Sequence, residues 1–196
     1  MRAAWAGVDE AGRGPLAGPV VAAAVILPRR FDVIGIDDSK KLTPIAREEA
    51  AARIKKRAIY CIAVADVIEI DELNILRAAL LAMKRALDGL SIVPKGVLVD
   101  GNQPVHGVDY PVKCVVEGDA KYAQIAAASI LAKTFRDALM RDLSLQYPNY
   151  GFDHNFGYST REHFVALDKL GPCDLHRRTF APVRDKLLQP CLAIED

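Results

Sequence analysis

Four carboxylates in three separate stretches are the residues best suited to chemistry in this chain. Asp9 and Glu10 follow one short apolar segment, Asp100 follows a second, and Asp119 follows a third. In open α/β sheets, the active site lies at the carboxyl ends of the strands. If the three apolar segments are strands of one sheet, the four acids converge in one cleft.

Carboxylates gathered in this way repel one another and lose hydration, so protons or divalent cations must neutralise them. Hard oxygen ligands suit Mg²⁺ or Mn²⁺. Two such ions about 4 Å apart can hold the attacking water and the leaving oxygen of a phosphodiester in line. No histidine or cysteine accompanies the acids in sequence, which argues against a zinc hydrolase or a Cys-His nucleophile. The acids therefore predict metal-dependent phosphodiester hydrolysis.

Each acid also has an ordinary structural interpretation. Asp119 could cap the following helix, Asp100 could be a turn residue, and Asp9 and Glu10 could be an exposed strand end. Taken singly, these roles are the more common ones. The joint placement of all four, next to the loop Gly12-Arg13-Gly14, favours a metal site.

The loop Gly12-Arg13-Gly14 lacks the spacing of a dinucleotide fingerprint, and the acids before it would repel a pyrophosphate. A plain hairpin turn is its simplest interpretation. Glycine also lets a backbone approach a ligand closely, and amide groups here could contact a ribose 2′-hydroxyl, which distinguishes RNA from DNA.

The elements that must position these residues alternate between strand and helix patterns, which predicts an α/β fold. Strands are predicted at 3–8, 20–27, 60–68, 96–99 and 112–116, and helices at 44–59, 71–89, from about 120 to 147, 160–170 and 182–188. Residues 149–158 are predicted to form an aromatic loop. The expected buried face of the long helix contains Ile125, Ala128, Ala132, Phe135, Leu139 and Leu143.

Composition sets broad limits. A length of 196 residues with 51% hydrophobic and 26% charged residues predicts one globular domain. The net charge of +1 gives no overall sign of a nucleic-acid partner, although local basic clusters leave a positive groove open beside the simpler view of solvated charged faces. Four scattered cysteines predict reduced thiols, and no apolar run spans a bilayer, so we expect a cytoplasmic protein without membrane contact.

The segment at residues 7–19, Gly-Val-Asp-Glu-Ala-Gly-Arg-Gly-Pro-Leu-Ala-Gly-Pro, resembles the opening signature of ribonuclease HII, the bacterial type 2 ribonuclease H. Other motifs that resemble this family lie at residues 38–42, 71–76, 99–102, 118–119, 126–133, 157–158 and 176–178. The resemblance covers almost everything except the last few residues.

This resemblance implies a ribonuclease H-like fold, with a mixed five-stranded sheet flanked by helices. It implies one catalytic domain over residues 1–196, of which 149–196 form a small helical C-terminal extension. Asp9, Glu10, Asp100 and Asp119 match the family's metal ligands, and the implied cofactor is Mn²⁺ or Mg²⁺.

The resemblance further implies hydrolysis of the RNA strand of RNA-DNA hybrids and nicking 5′ of single ribonucleotides in duplex DNA, leaving 3′-hydroxyl and 5′-phosphate ends. The implied substrate contacts are Gly12, Arg13 and Gly14 as the ribonucleotide sensor, Tyr158 against the sugar at the RNA-to-DNA junction, and Ser39 and Lys40 near the backbone. A solvated loop is the alternative for Ser39 and Lys40. We expect a monomer.

Four positions depart from the family pattern. Asn155-Phe156 replaces the His-Lys of many relatives, Ala120 replaces a serine, and Thr179 replaces another. None is a proposed metal ligand, but substrate affinity and its salt dependence could differ. His176 is interpreted as structural. The tail at 189–192 faintly resembles sliding-clamp-binding peptides, although a frayed terminus is the favoured interpretation.

Two other functions remain open from sequence. The same acids could serve a nuclease of the same fold superfamily that acts on DNA junctions, which an all-DNA substrate would distinguish. The chain could instead be a non-enzymatic nucleic-acid-binding domain, which a lack of divalent-cation binding would favour.

Overall fold

The computed structural model describes residues 4–36, 39 and 42–188. Its strands are β1 Trp5–Ala11, β2 Val20–Ile26, β3 Ile59–Ala65, β4 Gly96–Asp100 and β5 Val112–Val115. Its α-helices are α1 Pro44–Arg57, α2 Val67–Leu73, α3 Ile75–Asp88, α4 Ala123–Ser144, α5 Phe152–Asn155, α6 Arg161–Leu170 and α7 Ala181–Leu188, and a 3₁₀ turn covers Pro148–Tyr150.

The five strands form one mixed sheet in the order β3-β2-β1-β4-β5. β2 runs antiparallel to both β1 and β3, whereas β1, β4 and β5 are parallel. The predicted α/β class and mixed five-stranded sheet are confirmed. Because β1 and β4 are parallel, their carboxyl ends lie at the same edge of the sheet.

The core lies on both faces of the sheet, and β2 shows why. Alternate side chains of this strand pack against α3 on one face and against α1 and α4 on the other, and all seven residues are buried. A strand covered on both faces needs apolar residues at every position. The continuous apolar run at 20–26 therefore follows from its central place in the sheet.

Helix α4 crosses directly over β1 at Gly7. A Cβ atom at Gly7 would overlap the backbone of Gln124 and Ile125, so only glycine permits this approach. The close crossing fixes the first turn of α4, and with it the preceding loop, next to β1.

Two predicted elements end or break where a side chain caps the following helix. The strand predicted at 60–68 ends at Ala65, because Asp66 and Glu69 form a capping box that starts α2. The helix predicted at 71–89 is two helices separated at Asn74. The Asn74 side chain accepts the amides of Leu76 and Arg77, so it caps α3 and prevents α2 from continuing.

The buried face predicted for the long helix is wrong in its second half. Phe135 is exposed, whereas Arg136, Asp137 and Met140 are buried. Beyond Ala132, α4 leaves the sheet and packs against the C-terminal helices and the loop at 12–19. The predicted loop at 149–158 contains the 3₁₀ turn and α5.

The C-terminal helices hold the loop that connects β1 and β2. Leu16 packs with Leu167 and Val183, and Ala17 packs with Met140 and Phe152. This connection is longer than the predicted tight turn and is covered by protein on its inner side. Among the described residues, no helix is long and apolar enough to cross a membrane.

Replacing Asn74 tests the helix break. Asn74 has φ 70° and ψ 161°, a region that favours glycine. We expect Asn74→Ala to lower the free energy of unfolding by about 2 kcal/mol, because it removes a cap and keeps a strained backbone, and Asn74→Gly to cost less than about 1 kcal/mol. Urea unfolding measures both variants. Equal losses would contradict a contribution from backbone strain.

Candidate active site

The acids of β1 and β4 are neighbours across the sheet. The two strands pair in register as far as Val8 and Val99, and Asp9 and Asp100 are the next residues. The sequence prediction placed Asp9 and Glu10 after the end of a strand, which is wrong, since both lie within β1. β1 continues there because it still pairs with β2.

Asp119 is linked to this pair through Gly118. The Gly118 amide donates to Asp100 Oδ1 at 2.7 Å, and a Cβ at Gly118 would lie 3.1 Å from the same oxygen. The turn thus brings residue 119 next to the carboxylate of Asp100. Asp119 does not cap the helix, because the N-cap of α4 is Tyr122, so the capping interpretation of Asp119 is wrong.

Burial and like charges act together on the β1 acids. Burial raises the pKa of Asp9 well above its usual value, and the charges of Glu10 and Asp100 raise it further, while a hydrogen bond from Ser129 opposes them. Burial also raises the pKa of Glu10, against the lowering effect of Arg13, whose guanidinium lies 3.3 Å away. Three of the four predicted acids therefore interact electrostatically.

These acids form an open edge. Within the described residues, no three Asp, Glu, His or Cys side chains are arranged to hold a metal ion. The hollow lined by Glu10, Arg13 and Asp100 measures only about 30 Å³. A much larger hollow, about 1130 Å³, lies around Trp5 at the other end of β1. A shallow acidic edge suits a phosphodiester backbone better than an enclosed small molecule.

The glycine loop and Tyr158 lie together beside the acids. A Cβ at Gly14 would stand 3.9 Å from the Tyr158 ring, and the Leu16 amide donates to the Gly157 carbonyl at 2.8 Å. In the described part of the chain, the amides of Arg13 and Gly14 donate to no protein acceptor. The structure thus brings two predicted substrate contacts side by side, with free donors between them.

Two buried arginines that sequence reasoning did not assign to the site organise this loop. The Arg177 guanidinium donates to the carbonyls of Gly12, Arg13 and Gly18, and that of Arg136 donates to the carbonyls of Ala17, Pro19 and Phe156. Burial, together with the nearby charge of Arg136, lowers the pKa of Arg177 to about 9. Arg136 was detectable, because Ala132, Arg136 and Met140 continue one helical face at four-residue spacing.

The departure at Asn155-Phe156 has a structural explanation. Asn155 is buried, donates to the Tyr150 carbonyl at 2.7 Å and accepts the Gly157 amide at 2.8 Å. Lys133 Nζ lies 5.2 Å from the Phe156 ring centre and 5.4 Å from that of Tyr158. Asn155 therefore shapes the turn before Tyr158, and Lys133 places a cation between the two rings.

Ser39 is buried and lies close to the acids. Its hydroxyl is 2.9 Å from that of Ser129, whose side chain also hydrogen-bonds to Asp9. Arg47 donates to the Ser39 carbonyl and pairs with Asp137 at 3.1 Å. The solvated-loop alternative is therefore wrong for Ser39, while the prediction for Lys40 lies outside the described residues.

Comparison with known proteins agrees with this geometry. The family model for ribonuclease HII matches residues 6–183. Ribonuclease HII of Neisseria meningitidis serogroup B is 51% identical over 193 residues, which cover 98% of this chain and 100% of the relative. That of Thiobacillus denitrificans is 56% identical over 187 residues, with 95% and 91% coverage.

Solved structures give the same result. Ribonuclease H2 from Pyrococcus horikoshii has a TM-score of 0.77 at 30% identity, covering 92% of this chain and 95% of its own. The ribonuclease HII of Archaeoglobus fulgidus, solved with PCNA, has a TM-score of 0.74 at 25% identity, and the match covers 95% of this chain and 98% of that chain. Bst ribonuclease HIII, solved with Mn²⁺, has a TM-score of 0.72 at 19% identity, and the match covers 94% of this chain and 69% of that chain. This similarity supports the fold alone.

The sheet order and flanking helices define a nuclease of the ribonuclease H-like fold class. Nearly the whole chain matches one family within that class. The chain belongs to the ribonuclease HII family. It is an endoribonuclease that cuts RNA in RNA-DNA hybrids and at single ribonucleotides in DNA, and the expected family, fold and activity are confirmed.

The crowding of the acids predicts a stability effect of Asp9→Asn. Because the folded state raises the pKa of Asp9, folding favours its protonated form, and the metal-free protein loses stability as pH rises from the ordinary carboxyl range through that raised pKa. At pH 8 in a chelator, we expect the variant to melt about 3 °C higher, corresponding to about 1 kcal/mol.

The same melting curves contain two checks. Mn²⁺ should stabilise the wild-type protein more than Asp9→Asn, since the variant has one negative charge fewer at this edge. Asp109→Asn, at an exposed position, is the control and should leave both the melting temperature and the Mn²⁺ effect unchanged. A lower melting temperature for Asp9→Asn in chelator would contradict the repulsion argument.

Proposed function

We propose that Asp9, Glu10, Asp100 and Asp119 hold the divalent cations with which this enzyme hydrolyses the RNA strand. The register of β1 and β4, which makes Asp9 and Asp100 adjacent, carries the proposal. The raised pKa of the buried Asp9 supports it, because a carboxylate repelled by its neighbours gains most from a cation. The donors are all hard oxygens, which fit Mg²⁺ or Mn²⁺.

The four carboxylates would hold these cations, which would supply charge neutralisation and Lewis acidity for hydrolysis of the phosphodiester by water, giving 3′-hydroxyl and 5′-phosphate ends. The protein's own contribution is to hold the acids in place. The Gly118 amide orients Asp100, the Glu10 amide donates to Asp9 Oδ1 at 2.7 Å, and Ser129 donates to Asp9. These hydrogen bonds keep the carboxylate oxygens directed to one edge.

Substrate recognition is assigned to the neighbouring loop. Arg177 and Arg136 bind the loop carbonyls, so the amides of Arg13 and Gly14 remain available to a ribose 2′-hydroxyl or a phosphate. Arg13 is exposed and paired with Glu10, which places a cation at the rim of the acidic edge. Tyr158, beside Gly14, supplies an aromatic surface for the sugar at the RNA-to-DNA junction.

The remaining contacts complete the proposed assembly. Ser39 supports Asp9 through Ser129, and Lys40 is proposed to contact the nucleic-acid backbone. Residues 1–196 act as one catalytic domain with a helical C-terminal extension. The segment at 189–192, which faintly resembles sliding-clamp-binding peptides, lies outside the described residues, and the Archaeoglobus relative solved with PCNA is what supports a partner contact there.

Asp100→Asn tests the metal-site proposal. The amide oxygen of the new asparagine side chain can still accept the Gly118 amide, so the variant should fold. We expect cleavage of a duplex containing one ribonucleotide to fall at least about 100-fold in Mg²⁺ or Mn²⁺, a loss in the range found when one transition-state stabiliser is removed. Asp109→Asn is the matched control. Nicking at the wild-type rate by a folded Asp100→Asn would refute the assignment.

Tyr158→Ala and Tyr158→Phe test junction recognition. Losing the ring should lower cleavage at a single ribonucleotide about tenfold, the effect of losing one aromatic stack, with a smaller loss on a continuous hybrid. Tyr158→Phe should retain most of the activity, because the ring remains. Parallel kcat/KM measurements on both substrates check this. An equal loss on both substrates would contradict a role specific to the junction.

A further inference from the structure

A line of three hydrogen bonds runs through the protein interior beneath Tyr158. The Cys173 amide donates to His176 Nδ1 at 3.0 Å, His176 Nε2 lies 3.0 Å from His163 Nε2, and His163 Nδ1 lies 2.8 Å from the Tyr158 carbonyl oxygen. Both histidines are buried. None of these groups belongs to the proposed hydrolytic centre.

The two ends of this line fix the direction of every bond in it. A backbone amide only donates, so His176 Nδ1 carries a lone pair and its proton is on Nε2. That proton must be donated to His163 Nε2, which leaves the proton of His163 on Nδ1. A carbonyl only accepts, and His163 Nδ1 faces the carbonyl of Tyr158. Each imidazole therefore has one defined tautomer.

The same pattern requires both histidines to be neutral. A second proton on His163, at Nε2, would face the N–H of His176 across the 3.0 Å contact. A second proton on His176, at Nδ1, would face the Cys173 amide N–H. Burial lowers the pKa of His163, and it lowers the pKa of His176 to about 4, with a further contribution from His163. The hydrogen-bond geometry and the burial thus both favour neutral imidazoles.

The residues around His163 and His176 also favour neutral imidazoles. The Phe152 ring centre lies 5.4 Å from that of His163, and the Tyr150 ring centre lies 5.1 Å from that of His176. The Cys173 sulfur is 3.2 Å from His176 Nδ1, and burial raises the pKa of its thiol. The Arg177 guanidinium, on the next residue, is directed to the loop carbonyls.

The line connects two parts of the substrate-binding surface. At one end, the Tyr158 carbonyl also accepts the Thr160 amide at 2.8 Å. At the other end, His176 forms a β-bridge with Ala17, and its neighbour Arg177 binds the carbonyls of Gly12 and Arg13. Displacing either imidazole would move the Tyr158 backbone relative to the glycine loop.

We propose that His163 and His176 are positioning residues, which hold Tyr158 against the loop Gly12-Arg13-Gly14. They do so as neutral imidazoles in a line of hydrogen bonds whose direction is fixed. In this way they set the preference of the enzyme for single ribonucleotides over continuous hybrids. The inference rests on the proposed role of Tyr158. His163 and His176 touch neither the substrate nor the acids in this scheme, and their effect is on selectivity.

The tautomers can be read on the wild-type protein by long-range ¹H–¹⁵N NMR of the imidazole nitrogens. At pH 7, we expect His163 with its proton on Nδ1 and His176 with its proton on Nε2, both neutral. A charged imidazole at this pH, or the opposite tautomer of either residue, would overturn the proposal. This measurement needs no variant and no activity, so it tests the line independently of the proposed function.

Two variants of His163 separate its two hydrogen bonds. The amide nitrogen of His163→Asn can take the place of Nδ1 and keep the bond to the Tyr158 carbonyl, whereas the amide of His163→Gln takes the place of Nε2 and loses it. The measured quantity is kcat/KM on a single-ribonucleotide duplex divided by kcat/KM on a continuous hybrid. We expect this ratio to fall about fivefold in His163→Gln and less than about twofold in His163→Asn.

Equal ratios in the two folded variants would overturn the proposal, because a purely structural role distinguishes them only by stability. Tyr158→Ala supplies the final control. In that background, His163→Gln should cause no further change in the ratio, and an additional fivefold fall would contradict action through Tyr158. If Tyr158→Ala alone left the ratio unchanged, the role of Tyr158 itself would be refuted, whatever the tautomers show.

Discussion

The adjacency of buried carboxylates at one edge of the sheet is the constraint on which the rest of this structure depends. Asp9 and Asp100 follow directly after the last paired residues of two parallel strands, so the backbone register alone forces them together. Burial and repulsion raise the pKa of Asp9, and the fold bears this cost in the metal-free state. Such a site lowers the stability of the metal-free protein and favours the binding of cations. This trade-off is expected at a site that is selected for function and not for stability.

The rest of the fold keeps this edge open and supports it from behind. Gly7 lets α4 cross β1, which brings Ser129 to Asp9 and fixes the turn that contains Asp119. The C-terminal helices cover the inner side of the loop at 12–19, and Arg136 and Arg177 satisfy its carbonyls. The acids and the glycine loop are thus supported by different side chains, Asp9 by Ser129 and the loop by Arg136 and Arg177.

Much of this was predictable from the sequence, because the relevant signals are local. The apolar runs gave all five strands, and the acids were found from their position near strand ends. The errors arose where a side chain competes with the backbone, as at Asp66 and Asn74, or where tertiary packing overrides periodicity, as at Phe135 and Arg136. The burial of Arg177 gave no local signal, because the carbonyls that it binds, those of Gly12 and Arg13, lie far away in sequence.

The two buried arginines also determine which backbone groups the glycine loop can offer in its proposed contact with a sugar. A loop whose carbonyls all faced solvent would present acceptors to a phosphate and repel it. Arg177 binds the carbonyls of Gly12 and Arg13, whereas the amides of the exposed Arg13 and Gly14 donate to no acceptor in the described part of the chain. Both guanidiniums also add positive charge beneath the loop, which follows the acidic residues Asp9 and Glu10 in the chain. In the proposed mode of binding, the buried arginines contribute to recognition of an anionic backbone together with the exposed Arg13, a local arrangement that the net charge of +1 does not reveal.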